Sequence, residues 1–186
     1  KGETYRAPLY GIHNAYNLLI ALAVALELGV EPSKAKDALA NVAAVDRRSE
    51  IIERGYIVIN DTYNSNPLSA KSALVSAQRV FPEARKIAVL SDMKELGEKS
   101  GYYHRELGKK AAECGFFSLY TWGEYSKDIA RGAVEAGMPE QRVFRFSEKE
   151  TLIEALLLSV RKGDVVLVKG SRSMKMEEVT DALVRE

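Results

Sequence analysis

Apolar and polar positions along the chain change period several times, and each change marks a predicted element. Residues 1–12 hold a possible strand leading into Gly11. From His13 to about Leu28 a helix is predicted, with Gly29 as its stop. Its apolar residues, Leu18, Leu19, Ile20, Leu22, Val24 and Leu26, fall almost all round it. A helix of that kind belongs in a core, so its face at residues 18–26 is expected to be partly uncovered unless other protein packs there. A second helix runs from Pro32 to about Val42. The charged segment 43–49 then breaks the pattern and marks a domain boundary, with residues 1–46 before it and 47–186 after it.

Beyond the boundary, strand and helix alternate regularly. Ile51-Ile52-Glu53-Arg54 and Tyr56 to Ile59, separated by Gly55, read as a short antiparallel pair. Asn66 before Pro67 is a helix start, with Asn at the cap and Pro at the first helical position. Ala70, Ala73, Leu74, Ala77, Val80 and Phe81 follow at helical spacing, and Pro82 ends the helix. Further strands are predicted at Ile87 to Leu90, Phe117 to Thr121, Val143 to Phe146 and Val165 to Val168. Between them lie helices from Ser100 to Cys114, from a Ser126 cap to Gly137, and after a capping box of Ser147 and Glu150. A closing helix carries Val179 and Leu183 inward. Alternation of this length predicts an α/β fold, a Rossmann-like, doubly wound and mostly parallel sheet, preceded by a helical segment.

Composition narrows the classes. Lys and Arg number 27 against 26 Asp and Glu, so no bulk charge draws the chain to nucleic acid or membrane. A single cysteine, Cys114, excludes an internal disulfide, and two histidines with one cysteine give no metal-ligand spacing. No apolar run is long enough to span a bilayer, and a soluble cytoplasmic protein is expected. Lys1 opens without an initiator Met, and a piece of a longer protein is expected.

Candidate chemistry concentrates where the run Ile57-Val58-Ile59 turns polar, at Asn60, Asp61, Thr62, Tyr63 and Asn64. Loops at the carboxyl ends of strands in open α/β sheets bind ligands, and the helix start that follows favours anions. Asp61 could accept ribose hydroxyls, or it could simply form a turn; the number of amides and carboxylates around it favours a site. Asn14 and Asn17 share a helix face, and an Asn amide matches the donor–acceptor edge of adenine. On the motif alone a cap and a first-turn polar residue explain them better. Arg47 and Arg48 lie at the boundary, where a guanidinium could clamp phosphate or remain solvated. Lys169-Gly170-Ser171-Arg172-Ser173 makes a second anion-friendly loop, while neither G-x-x-x-x-G-K-[ST] nor G-x-G-x-x-G occurs. Asp92, Glu95, Glu98 and His104 read as a mixed set of solvated loop charges.

Four segments together resemble one family. His13-Asn14-Ala15-Tyr16-Asn17, Asn60-Asp61-Thr62-Tyr63-Asn64-Ser65-Asn66-Pro67, Asp92-Met93-Lys94-Glu95-Leu96-Gly97-Glu98 and Lys169-Gly170-Ser171-Arg172-Ser173 resemble the Mur ligases, in their D-alanyl-D-alanine-adding branch. The resemblance implies the end of a central ATPase domain (residues 1–46) followed by a Rossmann-like ligase domain (47–186). It implies ATP and Mg²⁺ as cofactors, with the phosphate-binding loop and most metal ligands outside this sequence. Its partners would be D-alanyl-D-alanine and UDP-N-acetylmuramoyl-tripeptide, joined through an acyl phosphate in peptidoglycan precursor synthesis by a protein that is a monomer when intact. It implies Asn14 and Asn17 at adenine with His13 beside them, Arg48 at the phosphates, and Asp61 at the ribose with Tyr63 and Asn64 adjacent. Lys169, Ser171 and Arg172 would line the dipeptide, with Asp92 and His104 on the same rim. The family usually carries Gly where this chain has Ser91, and a left-handed conformation there would cost Ser stability. No turnover is expected of this stretch alone. A different amide-forming ligase and a stand-alone nucleotide-binding module are the alternatives.

Overall fold

The computed structural model describes residues 4–43 and 47–185; residues 44–46 of the expected boundary lie outside the described residues. Two helices come first, α1 (Ile12–Glu27) and α2 (Pro32–Ala40). There follow β1 (Glu50–Glu53), β2 (Ile57–Asp61), α3 (Pro67–Val80), β3 (Lys86–Ser91), α4 (Ser100–Glu113), β4 (Ser118–Trp122) and α5 (Ser126–Glu135). The chain closes with β5 (Val143–Phe146), α6 (Lys149–Ser159), β6 (Val165–Lys169) and α7 (Glu177–Val184). The strands form one sheet in the order β1-β2-β6-β3-β4-β5, in which only β1 runs antiparallel to its neighbour.

The β-branched runs sit in this sheet for a simple reason: both faces are covered, so the central strands are apolar at most positions. Successive side chains go to opposite layers. Ile59, Ala88, Leu90, Leu119 and Leu167 pack with Leu74 of α3, Leu107 of α4 and Ile129 of α5. Val58, Ile87, Val89, Val166 and Val168 pack on the other face with Leu152 and Leu156 of α6 and Val179 and Leu183 of α7. Helices α4 and α5 meet backbone to backbone, because a Cβ on Gly108 would overlap the Ile129 carbonyl and one on Gly132 the Arg105 carbonyl.

Helix starts divide into local and tertiary ones. Asn66 caps α3 through a reciprocal box with Ser69, its Oδ1 accepting from Ser69 N at 2.9 Å. The expected Ser147–Glu150 box does not form: Glu148 stands at the cap of α6 without a side-chain bond. Nor does Ser126 cap α5; Tyr125 takes that position, and the amides of Glu124 and Tyr125 donate to Asp92 from a neighbouring loop. A carboxylate from elsewhere in the fold thus fixes the loop that leads into α5. Ser91 lies in β3, is absent from the left-handed positions, and donates its hydroxyl to the Trp122 carbonyl at 2.8 Å, so Ser carries no strain there.

Helix α1 buries none of its residues, and Tyr16, Leu19, Ile20 and Val24 are exposed, matching the expectation of an uncovered face. Its leading segment touches the sheet domain, where Tyr10 stacks on Phe81.

Candidate functional site

Strand order decides where a ligand can enter. Strand β6 lies between β2 and β3, and its following helix α7 covers one face while α3 and α4 cover the other. Connections leaving neighbouring strands toward opposite faces open a crevice at their carboxyl ends. The loops after β2, β3 and β6 line it, and they carry three of the four polar segments singled out above.

Asp61 ends β2 and is held from two sides. Its Oδ1 accepts from Ser49 N at 3.0 Å, and its Oδ2 pairs with Lys169 Nζ at 2.7 Å. Lys169, 2% exposed, also donates to the Asn64 carbonyl at 2.8 Å. The ammonium therefore points into the protein and ties the β2–α3 loop to the end of β6. Asp61 remains partly accessible, its side chain 13% exposed, so a fixed carboxylate faces the crevice. Asn64 is exposed and its Oδ1 accepts from Ser65 N.

Next to it lies a cationic and aromatic cluster. The Arg48 guanidinium sits 4.0 Å from the centre of the Tyr63 ring, and that of Arg172 lies 6.0 Å from the same centre. The backbone at Arg47 and Ser49 is left-handed, φ 58° and 53°, and Tyr63 N donates to the Arg47 carbonyl at 3.0 Å. Left-handed non-glycine residues persist where surrounding bonds over-determine them, and such strain gathers at ligand sites. Sequence reasoning treated Tyr63 and Arg172 as parts of different subsites; the structure brings them together.

The β3–α4 loop has another character. Asp92 is 1% exposed and accepts from Lys94 Nζ as well as from the amides of Glu124 and Tyr125 just before α5. Its carboxylate beside Lys94 pushes that ammonium's pKa up, chiefly through the hydrogen bond. Ser171 N donates to the Asp92 carbonyl, and the Ser171 hydroxyl accepts from Lys94 N at 2.9 Å. His104 is fully buried, and its Nε2 accepts from Met93 N at 2.8 Å while Nδ1 meets the Ser100 carbonyl at 2.7 Å. That pattern requires the neutral Nδ1–H tautomer, and burial lowers its pKa. Asp92, His104 and Ser171 thus knit the crevice floor together.

Above that floor opens a cleft of ≈ 770 Å³ lined by Asp92, which the sequence nominated, and walled by Trp122, Arg145, Phe146 and Ser147, which it did not, with Lys94 and Met174 on its rim. Trp122 is fixed there, its Nε1 donating to the Ser147 carbonyl and Lys149 Nζ lying 4.8 Å from its ring. One signal was available: Trp122 and Phe146 are the last residues of β4 and β5, on the ligand-binding edge.

The leading helix approaches from the side. Asn14 is half-buried and its amide donates to the Tyr10 carbonyl at 2.8 Å; Asn17, one turn on, is exposed. The Tyr10 hydroxyl is buried without a hydrogen-bond partner, and its pKa rises through burial and, second, through the negative charge of Asp61. Among the described residues no group of three or more His, Cys, Asp or Glu is arranged to hold a metal ion, and no helix is long and apolar enough to cross a membrane.

Comparison with known proteins finds relatives along nearly the whole chain. Residues 47–172 match the family described as Mur ligase, glutamate ligase domain. The chain is 33% identical over 184 residues to the UDP-N-acetylmuramoyl-tripeptide–D-alanyl-D-alanine ligase of Bacillus subtilis, covering 98% of this chain and 40% of that one. It is 34% identical over 180 residues to the Escherichia coli enzyme of the same name, 95% and 38% covered. Among solved structures, MurF from Acinetobacter baumannii superposes with a TM-score of 0.83 at 28% identity, covering 96% of this chain and 39% of that one. MurF ligase from Thermotoga maritima in complex with ADP gives 0.80 at 28%, covering 97% and 40%. The chain therefore spans about 40% of the length of the relatives it matches.

Proposed function

Because this chain belongs to the Mur ligase family, we propose that it is the carboxyl-terminal part of an ATP-dependent ligase. That enzyme joins D-alanyl-D-alanine to UDP-N-acetylmuramoyl-tripeptide for peptidoglycan precursors, and it acts as a monomer in the cytoplasm. The observation that carries the reading is a preoriented carboxylate, Asp61, beside a guanidinium–phenol cluster on the crevice edge, in a chain about a third identical to ligases of that name.

In this reading ATP supplies the phosphoryl group that activates the tripeptide's terminal carboxylate. Asn14 and Asn17 meet the adenine edge, Asp61 uses its remaining lone pairs on the ribose hydroxyls, and Arg48 reaches the phosphates, with Tyr63 and Asn64 shaping the loop. The acceptor lies in the cleft, its carboxylate toward Lys94 and Arg145 and its methyl groups against Trp122 and Phe146. Its amine nitrogen attacks the acyl carbon; the N–C bond forms, the C–O bond to phosphate breaks, and phosphate leaves as the amine loses a proton. The chain contributes position and charge complementarity to that exchange. Lys169, Ser171, Asp92 and His104 hold the rim in place from within. Among the described residues no group of three or more His, Cys, Asp or Glu is arranged to hold Mg²⁺.

Acceptor profiling of the intact enzyme carrying this chain tests the reading. ADP release that requires both the UDP-linked tripeptide and D-alanyl-D-alanine is expected. Release with a single amino acid in place of the dipeptide would assign the enzyme to another branch of the family.

A further inference from the structure

Arg172 shares its immediate surroundings with Arg48. Both guanidiniums face the Tyr63 ring, at 6.0 and 4.0 Å from its centre. A third, Arg47, joins them through Glu177, whose Oε1 accepts from Arg47 Nη1 at 2.9 Å and lies 3.4 Å from Arg172 Nη1. The other oxygen, Glu177 Oε2, is buried with no hydrogen-bond partner. One carboxylate oxygen therefore serves two guanidiniums while a third lies against the same phenol. This gathers three guanidiniums on a surface where the Arg172 side chain is 57% exposed.

The two contacts of Glu177 differ in strength. The bond to Arg47 is short and partly shielded, whereas the pair with Arg172 is long and exposed, the geometry in which an ion pair contributes least. A bidentate Arg–phosphate contact is much stronger, because the planar fork matches two phosphate oxygens. An arriving phosphate can take Arg172 from Glu177 and leave Arg47 in place.

We infer that Arg172 and Arg48 are the two arms of one phosphate clamp floored by Tyr63, and that Glu177 holds the Arg172 arm until phosphate displaces it. This moves Arg172 away from the acceptor and onto the nucleotide's side of the crevice, and it rests on the reading of Arg48 as a phosphate ligand. The chemistry recognised is an oxyanion; the dipeptide's carboxylate is the other possible source.

Calorimetric titrations of the chain with inorganic tripolyphosphate, with ADP and with D-alanyl-D-alanine separate these. Tripolyphosphate has no base or ribose, so it addresses the clamp alone. Arg172→Ala weakens its binding about tenfold, with Arg172→Lys between it and the wild type. Glu177→Gln tightens it about threefold by removing the competing charge, and the affinity falls steeply with salt. No tripolyphosphate binding by the wild type, unchanged affinity in Arg172→Ala, or weaker binding in a Glu177→Gln protein with an unaltered urea midpoint overturns the clamp. So does competition by D-alanyl-D-alanine for the same site. Should Glu177→Gln fail to fold, the exposed Arg172 variants carry the test. Tripolyphosphate binding as expected, with ADP binding no better than a base-free diphosphate, leaves the clamp standing and removes the nucleotide reading.

Discussion

Replacing Lys169 with Met keeps a long, flexible side chain in a buried channel and removes only the charge and its bonds. The ammonium pairs with Asp61 Oδ2 at 2.7 Å and donates to the Asn64 carbonyl at 2.8 Å, in a residue 2% exposed. Removing one partner of a buried pair costs about 3–5 kcal/mol, because the other charge stays behind unpaired. Asp61 is 13% exposed and keeps its bond from Ser49 N, and Asn64 can turn to water, so the loss belongs at the lower end, about 3 kcal/mol. For a domain of this size that is a fall of about 6–12 °C in Tm. Urea unfolding at pH 7 measures it. Asp61→Asn alone and in combination with Lys169→Met closes a double-mutant cycle with a coupling of about 1.5 kcal/mol or more. A loss below about 1 kcal/mol would show that the ammonium is no structural tie, and the argument that it preorients Asp61 would fall.

Three further outcomes follow from separate parts of the fold. Gly108→Ala forces a Cβ into the Ile129 carbonyl where α4 meets α5, and a loss of about 3 kcal/mol or more in urea unfolding is expected; an unchanged midpoint would mean that the helices are not in backbone contact. His104 has a folded-state pKa below its ordinary 6.5 because burial disfavours the charged ring. The unfolded chain therefore binds the proton first, so the contribution of His104 is full above pH 6.5 and is lost as pH falls through the lower folded value. Unfolding midpoints at pH 7.5 and 5.5 should accordingly fall less for His104→Gln than for the wild type, and equal falls would count against it. Asn66→Ala removes the α3 cap bond to Ser69 N and costs about 1 kcal/mol; thermal melts within 1 °C of wild type would refute the cap's role.

Most of the architecture was legible because it follows from period. Fully apolar runs such as Ile57-Val58-Ile59 and Val165–Val168 can only be central parallel strands when helices separate them, and those strands pair as β2 with β6. The Asn66-Pro67 start was legible for the same reason, a local signal answered locally. What failed were local signals overruled from a distance. Ser126 lost the cap position of α5 to Tyr125, in a turn that Asp92 fixes from far away in sequence. The direction of Lys169 was equally hidden: a cation at a strand end faces ligand or core depending on whether a carboxylate waits beneath, and only the pairing of β2 with β6 places Asp61 there. The Trp122 cleft needs the strand order before β4 and β5 are seen to share an edge.

The central claim is that amides from α1 and the carboxylate after β2 meet on one nucleotide, with the guanidinium cluster beside them. Amide NMR of the ¹⁵N-labelled chain during an ADP titration tests it directly. The side-chain amides of Asn14 and Asn17 and the backbone amides of Arg48, Asp61 and Tyr63 are expected to shift together with a single dissociation constant. Shifts confined to the Trp122 indole and the cleft around it, with both asparagines unmoved, would contradict the account.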